Sequence, residues 1–265
     1  MNIKTLNINN ISANNSANNK DGSIINKLFN KVDKDKLHEV LKETFAWLDK
    51  NSHKEGDRKY WDVKPGVTLN GDELLLSDKG MYGGAAGIGL LYLRAYYVTE
   101  NQEYLDTAKE ALNYVISKYR GVSEFYSDKE YLPSAYIGFF DGPAGGGYVA
   151  KEIYKITREE KYKEFAIKVA DDIVKAGHDT DEGFTWYGFY GILGEGGLLL
   201  YLLDIYEEWK EKKYLEAAAD GGRYILSHKE EAPNGGYRWY VIDTKTFPTI
   251  GKEGGYFPGF EYGSA

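Results

Sequence analysis

Three stretches of the chain alternate between apolar and polar positions in the same order. Each opens on glycines, runs through an apolar, aromatic-rich segment, breaks briefly and resumes as an amphipathic one. The first begins at Tyr82 (YGGAAGIGLLYLRAYYVTENQEYLDTAKEALNYVI), the second at Asp141 and the third at Tyr190. In the first copy Leu90, Leu91, Leu93, Tyr96 and Tyr97 make a segment apolar nearly all round, the pattern of a helix buried on most sides. Tyr104, Leu105, Ala108, Leu112, Val115 and Ile116 then recur at helical spacing, with charges opposite. The pattern predicts pairs of antiparallel helices, an inner ring shielded by an outer one. The fold class is all-α, an incomplete α/α toroid.

The glycines give the repeat its register. They are Gly84, Gly87 and Gly89, then Gly142, Gly145 and Gly147, then Gly191, Gly194 and Gly196. A tyrosine (Tyr104, Tyr162, Tyr214) follows the first glycine by 20, 20 and 23 residues, which places three extra residues of the third copy around Trp209 to Lys212. An alanine lies four residues after each tyrosine. A fourth copy opens at Tyr262-Gly263. Glycine at these points allows close backbone approach; a second use is a ring of exposed helix N-termini that attracts anions. The connections repeat as well, pairing Tyr60 with Trp61, Phe184 with Trp186 and Tyr237 with Trp239, and they predict short extended segments. A helix precedes the repeats, with Leu37, Val40, Leu41, Thr44, Trp47 and Leu48 on one face and Asp35 as its expected cap. Residues 1–22, rich in Asn, read as a loosely attached lead-in, and 23–265 as one domain.

Composition removes several functions. The sequence has no Cys, so disulfides, thiolate metal ligands and cysteine nucleophiles are impossible within it. A net charge of −8 disfavours nucleic acid and anionic membranes as partners. The N-terminus has no apolar core of signal-peptide length, and the most apolar stretch is interrupted by Glu195 and Asp204. A soluble cytoplasmic protein is therefore expected. His38, His53, His178 and His228 are isolated from one another and read as surface residues, not metal ligands.

Carboxylates at the motif starts are the candidate chemistry. Asp141 precedes Gly142, Glu195 lies between Gly194 and Gly196, and Glu261 precedes Tyr262. If the motifs ring one end of a toroid, these carboxylates share a cavity and could act as general acid and base on a glycan. Trp61, Trp186 and Trp239 would then offer flat faces to sugars. The structural alternative has Asp141 capping its helix and Glu195 held by the helix dipole, with the tryptophans as packing.

The segments MYGGAAGIGLLYL, FFDGPAGGGYV and GFYGILGEGGLLL, with FEYGSA as a partial fourth, resemble the lanthionine synthetase C-like family. That family repeats an aromatic-x-Gly-x-Ala-Gly-Ile motif at each inner helix. The resemblance runs from about Tyr60 onward and implies a seven-pair barrel with a central zinc held by two Cys and a His. The zinc activates thiols that add to dehydrated Ser or Thr of a precursor peptide. Here Tyr262 stands where the family places a catalytic His, and no Cys is present, so no zinc cofactor and no zinc-dependent cyclisation are expected from this chain. The resemblance implies a precursor peptide as partner, and an open toroid edge implies further repeats or a partner to cover it. A glycan hydrolase and a non-catalytic binding scaffold stand as alternatives.

Overall fold

In a computed structural model the described residues are 34–63, 66–67, 73–74, 78–125, 137–186, 190–240 and 255–256. The chain divides into two compact units, residues 1–52 and 53–265. The first contributes one described helix, α1 (Lys34–Lys50). It starts at Lys34, a residue ahead of the expected cap Asp35, which therefore falls inside its first turn. Phe45 and Leu48 are buried, whereas Val40, Leu41 and Trp47 of the anticipated apolar face are exposed.

The second unit is built on three helix pairs. They are α2 (Ala85–Thr99) with α3 (Gln102–Lys118), α4 (Pro143–Thr157) with α5 (Glu160–Ala176), and α6 (Glu195–Trp209) with α7 (Lys212–Ser227). Within a pair the two helices pack together; between pairs α2 packs on α4 and α4 on α6, while α3 and α5 each pack on the following inner helix. This is the expected all-α arrangement of inner and outer helices. The cores of the joints are closed by Leu93, Leu112, Ile153, Ile173, Leu198, Tyr201 and Leu202, all fully buried.

Each inner helix has 15 residues and stops the same way. Glu100, Arg158 and Lys210 take left-handed φ values of 56°, 57° and 61°, and their N–H groups donate to the carbonyls of Tyr96, Tyr154 and Tyr206. The turn into the outer helix then follows at once. Asn101 caps α3 by accepting a hydrogen bond from the Glu103 N–H, and Glu159 and Glu211 stand in its place in the next two pairs.

The helix starts correct the register read from the sequence. The N-caps are Gly84, Gly142 and Gly194, so the third copy aligns on Gly194 and not on Gly191. Counted from these caps, Tyr104, Tyr162 and Tyr214 all lie 20 residues on. The three extra residues belong to the turn before α6, where the Gly194 N–H bonds the Gly191 carbonyl.

The connections hold short antiparallel hairpins, as their composition suggested. They are β1 (Ser52–Glu55) with β2 (Arg58–Trp61), β3 (Gly66–Val67) with β4 (Glu73–Leu74), β5 (His178–Thr180) with β6 (Gly183–Thr185), and β7 (Lys229–Glu231) with β8 (Tyr237–Trp239). A 3₁₀ turn at Val122–Phe125 follows α3 where the other outer helices of this unit lead into hairpins. β2 packs on α3 and β6 on α7, so each of these hairpins rests on the next outer helix along the chain.

Candidate functional site

The inner-helix starts are tied to one another by backbone. The Met81 and Tyr82 N–H groups donate to the Phe140 carbonyl at 2.7 and 3.0 Å, and the Phe139 N–H donates to the Ile192 carbonyl at 3.1 Å. Such a ladder leaves no room for side chains between loop and helix. A methyl on Gly87, Gly145 or Gly197, each three residues past its cap, would overlap the carbonyl oxygen of Met81, Phe139 or Ile192 respectively. Close approach is therefore the reason for these glycines.

The carboxylates proposed at the motif starts are not equivalent to one another. Asp141 is half-buried and sits one residue before the cap of α4, which is Gly142 and not Asp141. Glu195 is the first residue of α6 and has no solvent exposure (0%). Its Oε1 accepts from the Thr185 hydroxyl at 2.6 Å and from the Trp186 backbone N–H at 3.1 Å. The α6 dipole favours its negative charge. Glu195 thus fastens the end of β6 to the start of α6. Glu261 and Tyr262 lie outside the described residues.

The tryptophans pack. Trp186 is buried, donates its indole N–H to the Ile173 carbonyl at 2.8 Å and meets the Phe184 ring edge-on. Trp239 is half-buried and donates to the Ile225 carbonyl at 2.6 Å. Trp61 is buried against the Tyr92 ring. In the second and third pairs the indole therefore closes the end of the outer helix that precedes its hairpin.

The structure brings together a second group of charged side chains, on the inner helices. Ten residues past each cap stand Arg94, Glu152 and Asp204, a charged residue at the same level of every inner helix. Lys151, buried on α4, donates to Asp204 Oδ1 at 2.5 Å and lies 3.2 Å from Glu152 Oε1. Lys155 approaches the same Glu152 oxygen at 3.4 Å. Arg94 donates to the Tyr148 hydroxyl at 3.0 Å and lies over the Tyr97 ring. The belt thus runs from α2 across α4 to α6.

The electrostatics of the belt follow from its burial. Burial opposes the Lys151 charge, but hydrogen bonds and attraction from Asp204 and Glu152 outweigh it and hold the ammonium above its ordinary pKa. Burial lifts the Asp204 carboxyl above the usual range against the pull of Lys151. Tyr97 is pushed up to about 12, first by burial and then by the charge of Glu152. The signal for this belt was present in the sequence as Asp204 interrupting an apolar run; only the corrected register aligns it with Arg94 and Glu152.

The described residues do not fit a zinc site. Thiolate ligands are absent from the sequence, and among the described residues no three of His, Asp and Glu converge as metal ligands do. His53 pairs with Asp62 at 2.9 Å and stacks on Tyr60. His228 ends α7, its Nδ1 beside the Tyr224 carbonyl and the Ser227 hydroxyl. His178 is exposed in β5, and the side chain of His38 lies outside the described residues.

The model of the lanthionine synthetase C-like protein family matches residues 76–241, well over half of the chain. The chain belongs to the lanthionine synthetase C-like family. No curated protein matches this family member. Among solved structures it is similar to an inactive variant of an alpha-1,6-mannanase from Salegentibacter sp. in complex with alpha-1,6-mannotetrose. That match has 16% identity and a TM-score of 0.50, and covers 74% of this chain and 52% of that one. It is also similar to cellobiose 2-epimerase from Bacillus thermoamylovorans, with 12% identity and a TM-score of 0.50, covering 80% of this chain and 59% of that one. At these identities the likeness is one of fold, the α/α toroid. This LanC-like chain spans little more than half the length of either structure. No described helix is long and apolar enough to cross a membrane.

Proposed function

We propose that this LanC-like chain serves peptide modification by holding a precursor peptide along its inner helices, without itself supplying zinc-dependent thioether cyclisation. The family match over residues 76–241 carries this reading. The charged belt supports it, because Arg94, Tyr97 and Lys155 are exposed on inner helices within one helical turn of each other along the repeat. They offer donors and an aromatic face to an extended chain. The absence of Cys supports the non-cyclising part. A glycan hydrolase needs two carboxylates facing a shared space, and the enclosure of Glu195 does not favour it.

The test is fluorescence anisotropy with labelled linear peptides rich in Ser, Thr and Cys, in intact and dehydrated forms. Binding that weakens in Arg94→Ala and Tyr97→Ala is the expected result. Loss of free thiol from the dehydrated peptide should not occur, with or without added Zn²⁺. Failure of every such peptide to bind would overturn the reading. Release of oligosaccharides from a mannan or cello-oligosaccharide, lost in Glu195→Gln, would replace it with the hydrolase alternative.

A further inference from the structure

We propose that the joint between α2 and α4 holds a carboxylate subsite, in which Arg94 receives an acidic side chain of the bound peptide. The inference rests on the peptide-binding reading and names the chemistry that the peptide brings. α2 and α4 pack on each other, so both walls of the subsite belong to neighbouring helix pairs of one unit.

The pairing of the cations is the ground for this. Lys151 is paired with Asp204 and Glu152, and Lys155 with Glu152. Arg94 meets no carboxylate at ion-pair distance among the described residues. Its partners are the Tyr148 hydroxyl, at 3.0 Å, and the Tyr97 ring, 5.7 Å away. Both are neutral, because burial holds Tyr148 above the ordinary 10.0 and Tyr97 at about 12. The four charges on α4 and α6 balance, so the belt carries one positive charge in excess, at Arg94, in a chain whose net charge is −8.

Arg94 is held in place and yet accessible. A guanidinium presents five N–H donors in a planar fork. Tyr148 occupies Nη2, which leaves Nε and Nη1 without a partner among the described residues. Arg94 is exposed, and Tyr97 beside it is 40% exposed. A fork oriented by two tyrosines loses little freedom when a carboxylate docks on it. The same exposure decides the source of that carboxylate. A free small acid competes there with water and salt, and an exposed ion pair is weak. A carboxylate on a peptide already lying along the inner helices arrives at high effective concentration.

Fluorescence anisotropy with the full chain tests this, using a labelled peptide of Ser, Thr and Cys with two Glu residues and its counterpart with Gln in their place. The Glu peptide should bind roughly tenfold tighter, and added salt should shrink that preference. Arg94→Gln should bring the two peptides level, and Arg94→Glu should favour a Lys counterpart over the Glu peptide. Arg223→Gln, on the outer helix α7, should leave the preference intact. Equal binding of the Glu and Gln peptides to the wild type overturns the subsite and leaves peptide binding standing, whereas failure of every peptide overturns both. A preference that survives Arg94→Gln also overturns the subsite. So does displacement by free glutarate or inorganic phosphate as effective, mole for mole, as by the unlabelled Glu peptide.

Discussion

At Gly87, Gly145 and Gly197 one missing methyl decides whether a helix can begin against the preceding loop. Backbone stands in the way at each, so nothing flexible can move aside. Gly87→Ala or Gly197→Ala should cost at least about 2–3 kcal/mol, the upper part of the overpacking range. Gly222 in α7 is the control: an added methyl there meets nothing within 4 Å, and Gly222→Ala should stabilise by about 0.5–1 kcal/mol through helix propensity. Urea unfolding followed by circular dichroism separates the two outcomes; equal effects would contradict the ladder. Glu195 gives the second residue-scale prediction. Glutamine keeps an oxygen that can accept from Thr185 and from the Trp186 N–H, so Glu195→Gln should cost about 1 kcal/mol. Glu195→Ala strands both buried donors and should cost about 2–4 kcal/mol. A carboxylate whose role is catalytic and not structural would give the opposite pattern, with stability kept in both variants and activity lost.

Lys151 joins two elements, because its ammonium on α4 holds Asp204 of α6 as well as its neighbour Glu152. Lys151→Met leaves Asp204 without its cation, while Glu152 keeps Lys155. Its cost should lie toward the lower end of about 3–5 kcal/mol, since Asp204 keeps some water contact. Adding Asp204→Leu to Lys151→Met should recover part of that loss, as well-packed apolar groups replace much of the ion pair. Thermal unfolding of both variants measures this; a double variant less stable than the single one would refute it. Not all of this was legible in the chain. The helix pairs were, because apolar periodicity and short polar breaks leave few alternatives. The register of the third copy was not, because Gly191 and Gly194 both fit a Gly-x-x-Gly-x-Gly spacing. Tyr96, Tyr154 and Tyr206 resolve it, since all three lie 12 residues past a cap only if Gly194 is that cap. With the register wrong by three residues, Asp204 aligns with neither Arg94 nor Glu152, and the belt stays hidden. The tryptophans show another limit: an exposed and a buried indole look alike in sequence, and only the carbonyls of Ile173 and Ile225 distinguish them.

Across the whole molecule the tyrosines set the response to alkali. The sequence contains 24 of them, and Tyr114, Tyr162, Tyr201 and Tyr214 are buried at the helix joints. Burial raises the pKa of each above its ordinary 10.0; hydrogen bonds to Asp78 and Asp171 add to the effect at Tyr114 and Tyr214. An acid whose folded pKa lies above its unfolded one keeps its proton in the native state after the unfolded chain has lost it. The native state then binds more protons than the unfolded one, so the slope of stability against pH is negative. Their contribution is level below pH 10 and falls as the pH rises beyond it, by about 1.4 kcal/mol per pH unit for each buried tyrosine. Lys213 acts in the same direction, because Asp171 raises its pKa and that stabilisation is lost above the ordinary lysine value of 10.5. The expected outcome is cooperative alkaline unfolding that begins above pH 10, with tyrosinate absorbance at the buried residues appearing together with the loss of helical signal. Tyr162→Phe removes one titrating group and leaves the ring in place, so it should make the transition shallower. It gives up the bond to Asn113 at neutral pH, a loss of about 1 kcal/mol. If tyrosinate instead forms smoothly while the helices remain intact, the joints admit water, and the close packing assigned to the three pairs is wrong.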